Sequence, residues 1–194
     1  MSVSRNKIID ASVKLFSELG YHRTSMDDIA KEANVAKGTL YYHFTGKGEL
    51  FETIVTEGFQ LLRNQIREVL DENQSPDNQI RSIVRKHCEL FLQYSELVHI
   101  LSNEITNGIE TEVLTRIVAL KNEYVAFLAD ILRQGHADGE LNPLHYELAA
   151  ASMLGMIESA TMYVIRRRDS GEATAELLHE TIDAFVLPAL LKTR

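Results

Sequence analysis

The stretch Thr24–Lys47, TSMDDIAKEANVAKGTLYYHFTGK, decides how the rest of the chain is read. Thr24 and Ser25 place hydroxyls just ahead of a helical pattern, and Asp27 and Asp28 fall in its first turn, where the helix dipole favours negative charge. Ile29, Ala30 and Ala33 share one face, and Ala30 is small enough to let a second helix cross closely. Asn34 follows, a residue that tolerates the left-handed backbone a helix ending requires. Val35 fills the corner, and Leu40 and Phe44 give a second helix its inward face at i, i+4 spacing. Lys37, Gly38, Thr39, Tyr41, Tyr42 and His43 are left for the outside or the helix ends, and few of these suit a merely solvated face. The pattern predicts a helix-turn-helix whose second helix enters a DNA groove.

Upstream, residues 5–19 read as a first helix, with Ile8, Ser12, Leu15, Phe16 and Leu19 at helical spacing and Gly20 ending it. Tyr21, His22 and Arg23 link it to the helix-turn-helix. This helix is chiefly scaffold, with Arg5 and Lys7 within possible reach of phosphates. Downstream, Thr45 or Gly46 starts a long fourth helix running to about Asn73. Leu50, Phe51, Ile54, Val55, Phe59, Leu62, Ile66, Val69 and Leu70 form its apolar stripe, and Lys47 lies in its first turn.

The run KGTLYYHF, the spacer to Lys47, the Thr-Ser start and the IAKEA ahead of it resemble the TetR family of transcriptional repressors. The motif covers roughly residues 5 to 50, and the remainder resembles the family in architecture only. The resemblance implies phosphate and thymine-methyl contacts for Tyr41 and Tyr42, and a phosphate contact for His43. Thr39 can read a base edge or a methyl, Lys37 and Lys47 flank the unit for phosphate or base contact, and Gly38 allows close approach. With Thr24 and Ser25 at the helix start, these nine residues are the expected DNA-binding set. The resemblance also implies a dimer, and a small molecule in the larger domain that shifts the two heads and releases DNA.

A chain of 194 residues, 45% hydrophobic and 25% charged, can bury a real core as an ordinary globular protein. Its single cysteine, Cys88, excludes an intramolecular disulfide and suits a reducing cytoplasm. No basic-then-apolar signal peptide opens the sequence, so a cytoplasmic protein is expected. The net charge of −8 argues against a nucleic-acid partner until the chain is divided. Residues 1–48 hold seven Lys/Arg against five Asp/Glu, and residues 49–194 hold thirteen against twenty-three, so +2 and −10. The acidic excess belongs to the part that should face away from DNA.

Ser75-Pro76 begins a further helix by cap-then-proline logic, carrying Ile80, Ile83, Val84, His87, Cys88, Phe91, Leu92 and Tyr94. A short segment runs from about Leu97 to Ile105, and Asn107-Gly108 breaks the chain. The apolar pattern resumes from Thr111 to about His136, and Asp138-Gly139 is a turn. Asn142-Pro143 is expected to begin the eighth helix, which is apolar on nearly every side from Leu148 to Ile165. Glu158, the serines and the alanines argue against a membrane span, because a charge near mid-bilayer costs at least ~2.5–3.5 kcal/mol. A helix apolar all round must be covered all round. The eighth and last helices (the latter about Ala173 to Leu191) are therefore expected to meet their copies in a homodimer, through Leu154, Ile157, Leu178, Ile182 and Phe185.

The seven histidines show no metal-ligand spacing, no carboxylate pair or Ser-His constellation stands out, and no glycine-rich phosphate loop is present. No cofactor and no metal are expected. Phe91, Tyr94, Tyr124, Phe127, Met153, Met156 and Tyr163 are candidates for a cavity taking a small apolar or amphipathic effector, although ordinary core accounts for any one of them. Arg166, Arg167 and Arg168 complement the dipole at the end of the eighth helix.

The expectation is an all-α protein: a three-helix head over 1–48 and a larger helical regulatory and dimerisation domain over 49–194. Its expected function is sequence-specific binding to a near-palindromic double-stranded DNA operator, repressing transcription until a ligand releases it. The alternatives are a ligand-independent DNA-binding protein and an all-α enzyme with a helix-turn-helix head.

Overall fold

A computed structural model describes residues 3–70, 74–103, 109–137, 139, 141–167 and 175–192, without the side chains of 101–103. In chain order the helices are α1 (Val3–Leu19), α2 (Met26–Glu32), α3 (Lys37–His43), α4 (Lys47–Val69), α5 (Pro76–Gln93), α6 (Ser95–Asn103), α7 (Thr111–Ala137), α8 (Tyr146–Arg166) and α9 (Ala175–Leu190). The expected helix end near Asn73, the segment end at Ile105, the break at Asn107-Gly108, Asp138, Arg168 and the start at Ala173 lie outside the described residues. Among the described residues the only β pairing is one bridge, Leu141 with Leu191.

The chain forms two compact units. One comprises Met1–Phe59 with Glu96–Leu120, and the other Gln60–Ser95 with Lys121–Arg194. In the first unit, α1, α2 and α3 pack on one another around Ile8, Phe16, Ile29, Leu40 and Phe51, all essentially inaccessible to water. Burying a side chain of that size stabilises the fold by roughly 1.5–3 kcal/mol. Gly20 ends α1 at φ +85°, and Asn34 turns the chain out of α2 at φ +50°. Ser25 caps α2 through a reciprocal box with Asp28, so two orphan amides are satisfied by two side chains. Two glycines of α4 bring it close to its neighbours: a Cβ on Gly58 would stand 2.9 Å from Leu97 Cδ2, and one on Gly48 would stand 3.0 Å from Val113 Cγ2.

In the second unit α5, α8 and α9 pack mutually. α5 presents Ile80, Ile83, Val84, His87, Cys88 and Phe91 inward, and burial pushes the Cys88 thiol up to about 12. The α8 helix (Tyr146–Arg166) is long and apolar enough to cross a membrane by length and composition, but Ala150, Met153, Leu154, Ile157, Thr161, Met162 and Val164 are buried within the unit. Its apolar face is thus a core face on one side.

Asn142-Pro143 does not begin the eighth helix. That helix starts at Tyr146 with His145 as its cap. Asn142 instead closes the end of α9: its amide nitrogen Nδ2 donates to the carbonyls of Ala189 (3.2 Å) and Leu191 (2.8 Å), and its backbone N–H to Leu190 (2.8 Å). The asparagine does satisfy helix-end groups, but those of a helix forty-odd residues later in the chain.

Candidate nucleic-acid interface

The head places α3 with Leu40 fully buried and Phe44 closing the inward face. Because a helix buries one stripe, the remaining positions turn outward. Lys37 and Gly38 are exposed, Thr39 is half-buried, and Tyr41 and Tyr42 are 45% and 84% exposed. His43 is half-buried, its ring edge-on to Tyr42 at 5.1 Å between centroids. Phenol, hydroxyl, imidazole and ammonium groups therefore line one short helix, with a glycine at its start. A Cβ on Gly38 would meet nothing within 4 Å, so the chain's own packing does not require this glycine.

Lys37 is held across the motif by Asp27, Nζ to Oδ1 at 2.7 Å, which raises its pKa. An exposed pair of this kind is weak and exchanges easily for another acceptor. Asp27 was absent from the sequence-derived set, although its place in the first turn of α2 was legible.

Three residues of the expected DNA set serve the head itself. Thr24 is buried, and its hydroxyl donates to the carbonyls of Gly20 (2.9 Å) and Leu15 (3.2 Å). Ser25 spends its hydroxyl on the α2 cap. Lys47 aims its ammonium at the carbonyls of Tyr21 (2.7 Å) and Thr24 (3.0 Å), and burial lowers its pKa. Arg5 is engaged too, 2.6 Å from Glu57, whereas Lys7 is exposed.

In the second unit the residues nominated for a cavity divide. Phe91, Tyr124 and Met153 are buried and Phe127 and Met156 half-buried, but Tyr94 and Tyr163 are 40% and 56% exposed. Tyr124 and Phe127 are ring neighbours at 5.9 Å. Inside, His87 Nδ1 lies 2.8 Å from the Ile83 carbonyl, which can only accept, so Nδ1 carries the proton and donates. Nε2 then accepts from the Tyr124 hydroxyl at 2.6 Å. Desolvation pushes the imidazole down to about 4, so it is neutral at pH 7. Thr161 Oγ1, also buried, has no hydrogen-bond partner among the described residues. No three His, Cys, Asp or Glu side chains among the described residues group as metal ligands.

Of the five residues nominated for the dimer, Leu154, Ile157, Leu178 and Ile182 are buried within the unit itself, and only Phe185, 65% exposed, faces outward. The large exposed hydrophobic residues of α8 and α9 are Leu148, Tyr163, Leu177 and Phe185, and Ala151 and Gly155 of α8 are exposed as well.

The helix-turn-helix head and the separate helical unit define a DNA-binding regulator. The family of bacterial regulatory proteins of the tetR type matches residues 8–54, and a tetracyclin repressor-like C-terminal domain matches residues 73–187. The chain belongs to the tetR family and is a DNA-binding transcriptional regulator. It is 28% identical over 161 residues to the fatty acid metabolism regulator protein of Bacillus subtilis, covering 82% of each chain. A crystal structure of FadR from Bacillus subtilis in complex with stearoyl-CoA shares the fold at a TM-score of 0.82 and 23% identity, covering 95% of this chain and 98% of that one. AibR in complex with isovaleryl coenzyme A and operator DNA is similar at a TM-score of 0.78 and 25% identity, over 95% and 98%.

Proposed function

We propose that this chain is a homodimeric cytoplasmic repressor without enzymatic activity, bound to an inverted-repeat operator through α3 and released by an acyl-coenzyme A. One observation carries the DNA reading: α3 leaves Gly38, Tyr41 and Tyr42 exposed while its other face is committed to the core. In this reading Lys37, Gly38 and Thr39 meet base edges, and Tyr41, Tyr42 and His43 meet phosphates. Thr24, Ser25 and Lys47 hold the head in the shape that presents them. The functional boundary falls at 48, with the regulatory part over 49–194.

The dimer reading rests on the outward strip Leu148, Gly155, Tyr163, Leu177 and Phe185, which a second copy would cover about a two-fold axis. A dimer presents two heads to half-sites one helical turn, about 34–36 Å, apart or at some wider spacing.

The effector reading draws on the isovaleryl coenzyme A bound by AibR and on the fatty acid metabolism regulator among the relatives. The second unit suits an amphipathic ligand: aromatic rings at Phe91, Tyr124 and Phe127, and an unsatisfied hydroxyl at Thr161. Release requires that the ligand bind the DNA-free state more tightly than the bound one. Titrating the protein–operator complex with isovaleryl-CoA and stearoyl-CoA, followed by fluorescence anisotropy, tests it. Release by at least one supports the reading; an unchanged complex with both removes the acyl-CoA effector and favours a ligand-independent repressor.

A further inference from the structure

Two guanidinium groups of the second unit converge on one aromatic ring. Arg63 and Arg67, one turn apart on α4, place their Cζ atoms 5.5 and 5.3 Å from the centre of the Phe127 ring on α7. Neither has a carboxylate partner among the described residues, whereas Arg81 pairs with Asp77 and Asp183, and Arg133 with Asp130 and Glu147. Like charges at i, i+4 repel on a helix. Stacking on Phe127 offsets part of that repulsion while leaving most of the N–H donors open.

The surroundings continue inward from this pair. Phe127 neighbours Tyr124, the Tyr124 hydroxyl bonds His87, and the His87 ring is edge-on to Phe91 at 5.9 Å. A cationic pair thus stands at one end of a run of packed aromatic rings that reaches a neutral polar pair. That sequence of surfaces suits a ligand with an anionic end and an apolar body.

We infer that Arg63 and Arg67 form the anion subsite of the effector site, gripping the phosphates of an acyl-coenzyme A while Phe127 walls the start of its acyl-pantetheine arm. The inference deepens the effector reading above and rests on it. A planar guanidinium presents parallel N–H donors that fit a phosphate in a fork, and two of them match a diphosphate better than a single carboxylate.

Calorimetric titration of the full-length protein with stearoyl-CoA, coenzyme A and stearate separates the cases. Wild type should bind stearoyl-CoA, more weakly as ionic strength rises. The double variant R63Q/R67Q should bind it about tenfold or more weakly and lose most of the salt dependence, with R63K/R67K recovering part of the affinity. Stearate binding should be little altered by either variant, because the phosphates are the partners. Both side chains reach solvent, and a melting temperature near wild type confirms that the variants fold; if the double variant does not fold, R63Q and R67Q are read singly. Wild-type binding with unchanged affinity and salt dependence in the Gln variants overturns the subsite and leaves the effector class intact. Arginine-dependent binding of stearate equal to that of stearoyl-CoA overturns the phosphate assignment. No binding of any probe by wild type overturns the effector class and the subsite with it.

Discussion

The Lys47 ammonium nitrogen stands 2.7 Å from the carbonyl oxygen of Tyr21 and its charge lies 4.4 Å from the centre of the Tyr21 ring. The lysine is a clamp between the start of α4 and the link after α1. Tyr21 in turn donates its hydroxyl to Glu110 at 2.6 Å, which holds the Glu110 carboxyl below the usual range. Lysine at the edge of a DNA-reading motif suggests a phosphate contact, and this geometry offers it other work.

Replacing Lys47 with Met keeps the stem over the ring and removes the charge. Leaving buried carbonyls without a donor should cost about 1–3 kcal/mol of stability. The slope of operator affinity against salt should hardly change. Urea unfolding together with anisotropy at two salt concentrations checks both parts. Full stability with a slope reduced by about one ion would restore the phosphate role.

Gly38 offers the reverse test. Its Cβ position is open, so Gly38→Ala should leave stability unchanged or raise it by up to ~1 kcal/mol, since alanine favours helix. Operator affinity should nonetheless fall about tenfold if bases approach the backbone here, as one good base contact is worth roughly 1–3 kcal/mol. Thermal melting and anisotropy on one preparation decide it, and equal affinity would remove the close-approach argument.

The dimer reading distinguishes two apolar residues that sequence alone treats alike. Phe185 is 65% exposed and Ile157 fully buried. Phe185→Glu should give a folded monomer with weak operator binding, whereas Ile157→Glu should unfold the chain by burying an unpaired charge. Sedimentation with circular dichroism reads both. A Phe185→Glu protein still dimeric at micromolar concentration would mean that another face is used.

His87 sets an acid limit. Its folded pKa, about 4, lies below the ordinary 6.5, so the unfolded chain binds the extra proton first as pH falls. The stabilisation is complete above pH 6.5 and is lost between there and about 4, by at most ~3 kcal/mol at 1.36 kcal/mol per pKa unit. His87→Gln should be less stable at pH 7 and should flatten the decline across that window. Urea titrations at pH 7, 5.5 and 4.5 measure it, and parallel declines in both proteins would contradict a buried neutral imidazole.

The head was legible because its signals are local. The Ser25–Asp28 box, the Asn34 turn and the Leu40–Phe44 stripe each lie within a few residues, where spacing alone fixes geometry. What failed was pairing across the chain. Nothing in the sequence says that Lys47 reaches back to Tyr21, that Asn142 caps α9, or that Tyr21 meets Glu110, 89 positions away. The α8 helix shows a second limit: a helix apolar on every side carries no periodicity to say which face goes inward, so the sequence does not separate Leu154 and Ile157, expected at the dimer interface and buried within the unit, from the exposed Leu148 and Tyr163. Arg63 and Arg67 sit in the polar flank of a strong apolar stripe, and their lack of acid partners becomes visible only in three dimensions.

The central claim is that α3 reads DNA sequence, and selection of bound duplexes from a random library tests it most directly. Wild type should enrich an inverted repeat whose affinity falls steeply with salt. On that duplex Lys37→Ala should bind about tenfold to a hundredfold more weakly, with a much smaller loss on random DNA. A library returned without enrichment, or equal losses on selected and random duplexes, would contradict sequence reading by this helix.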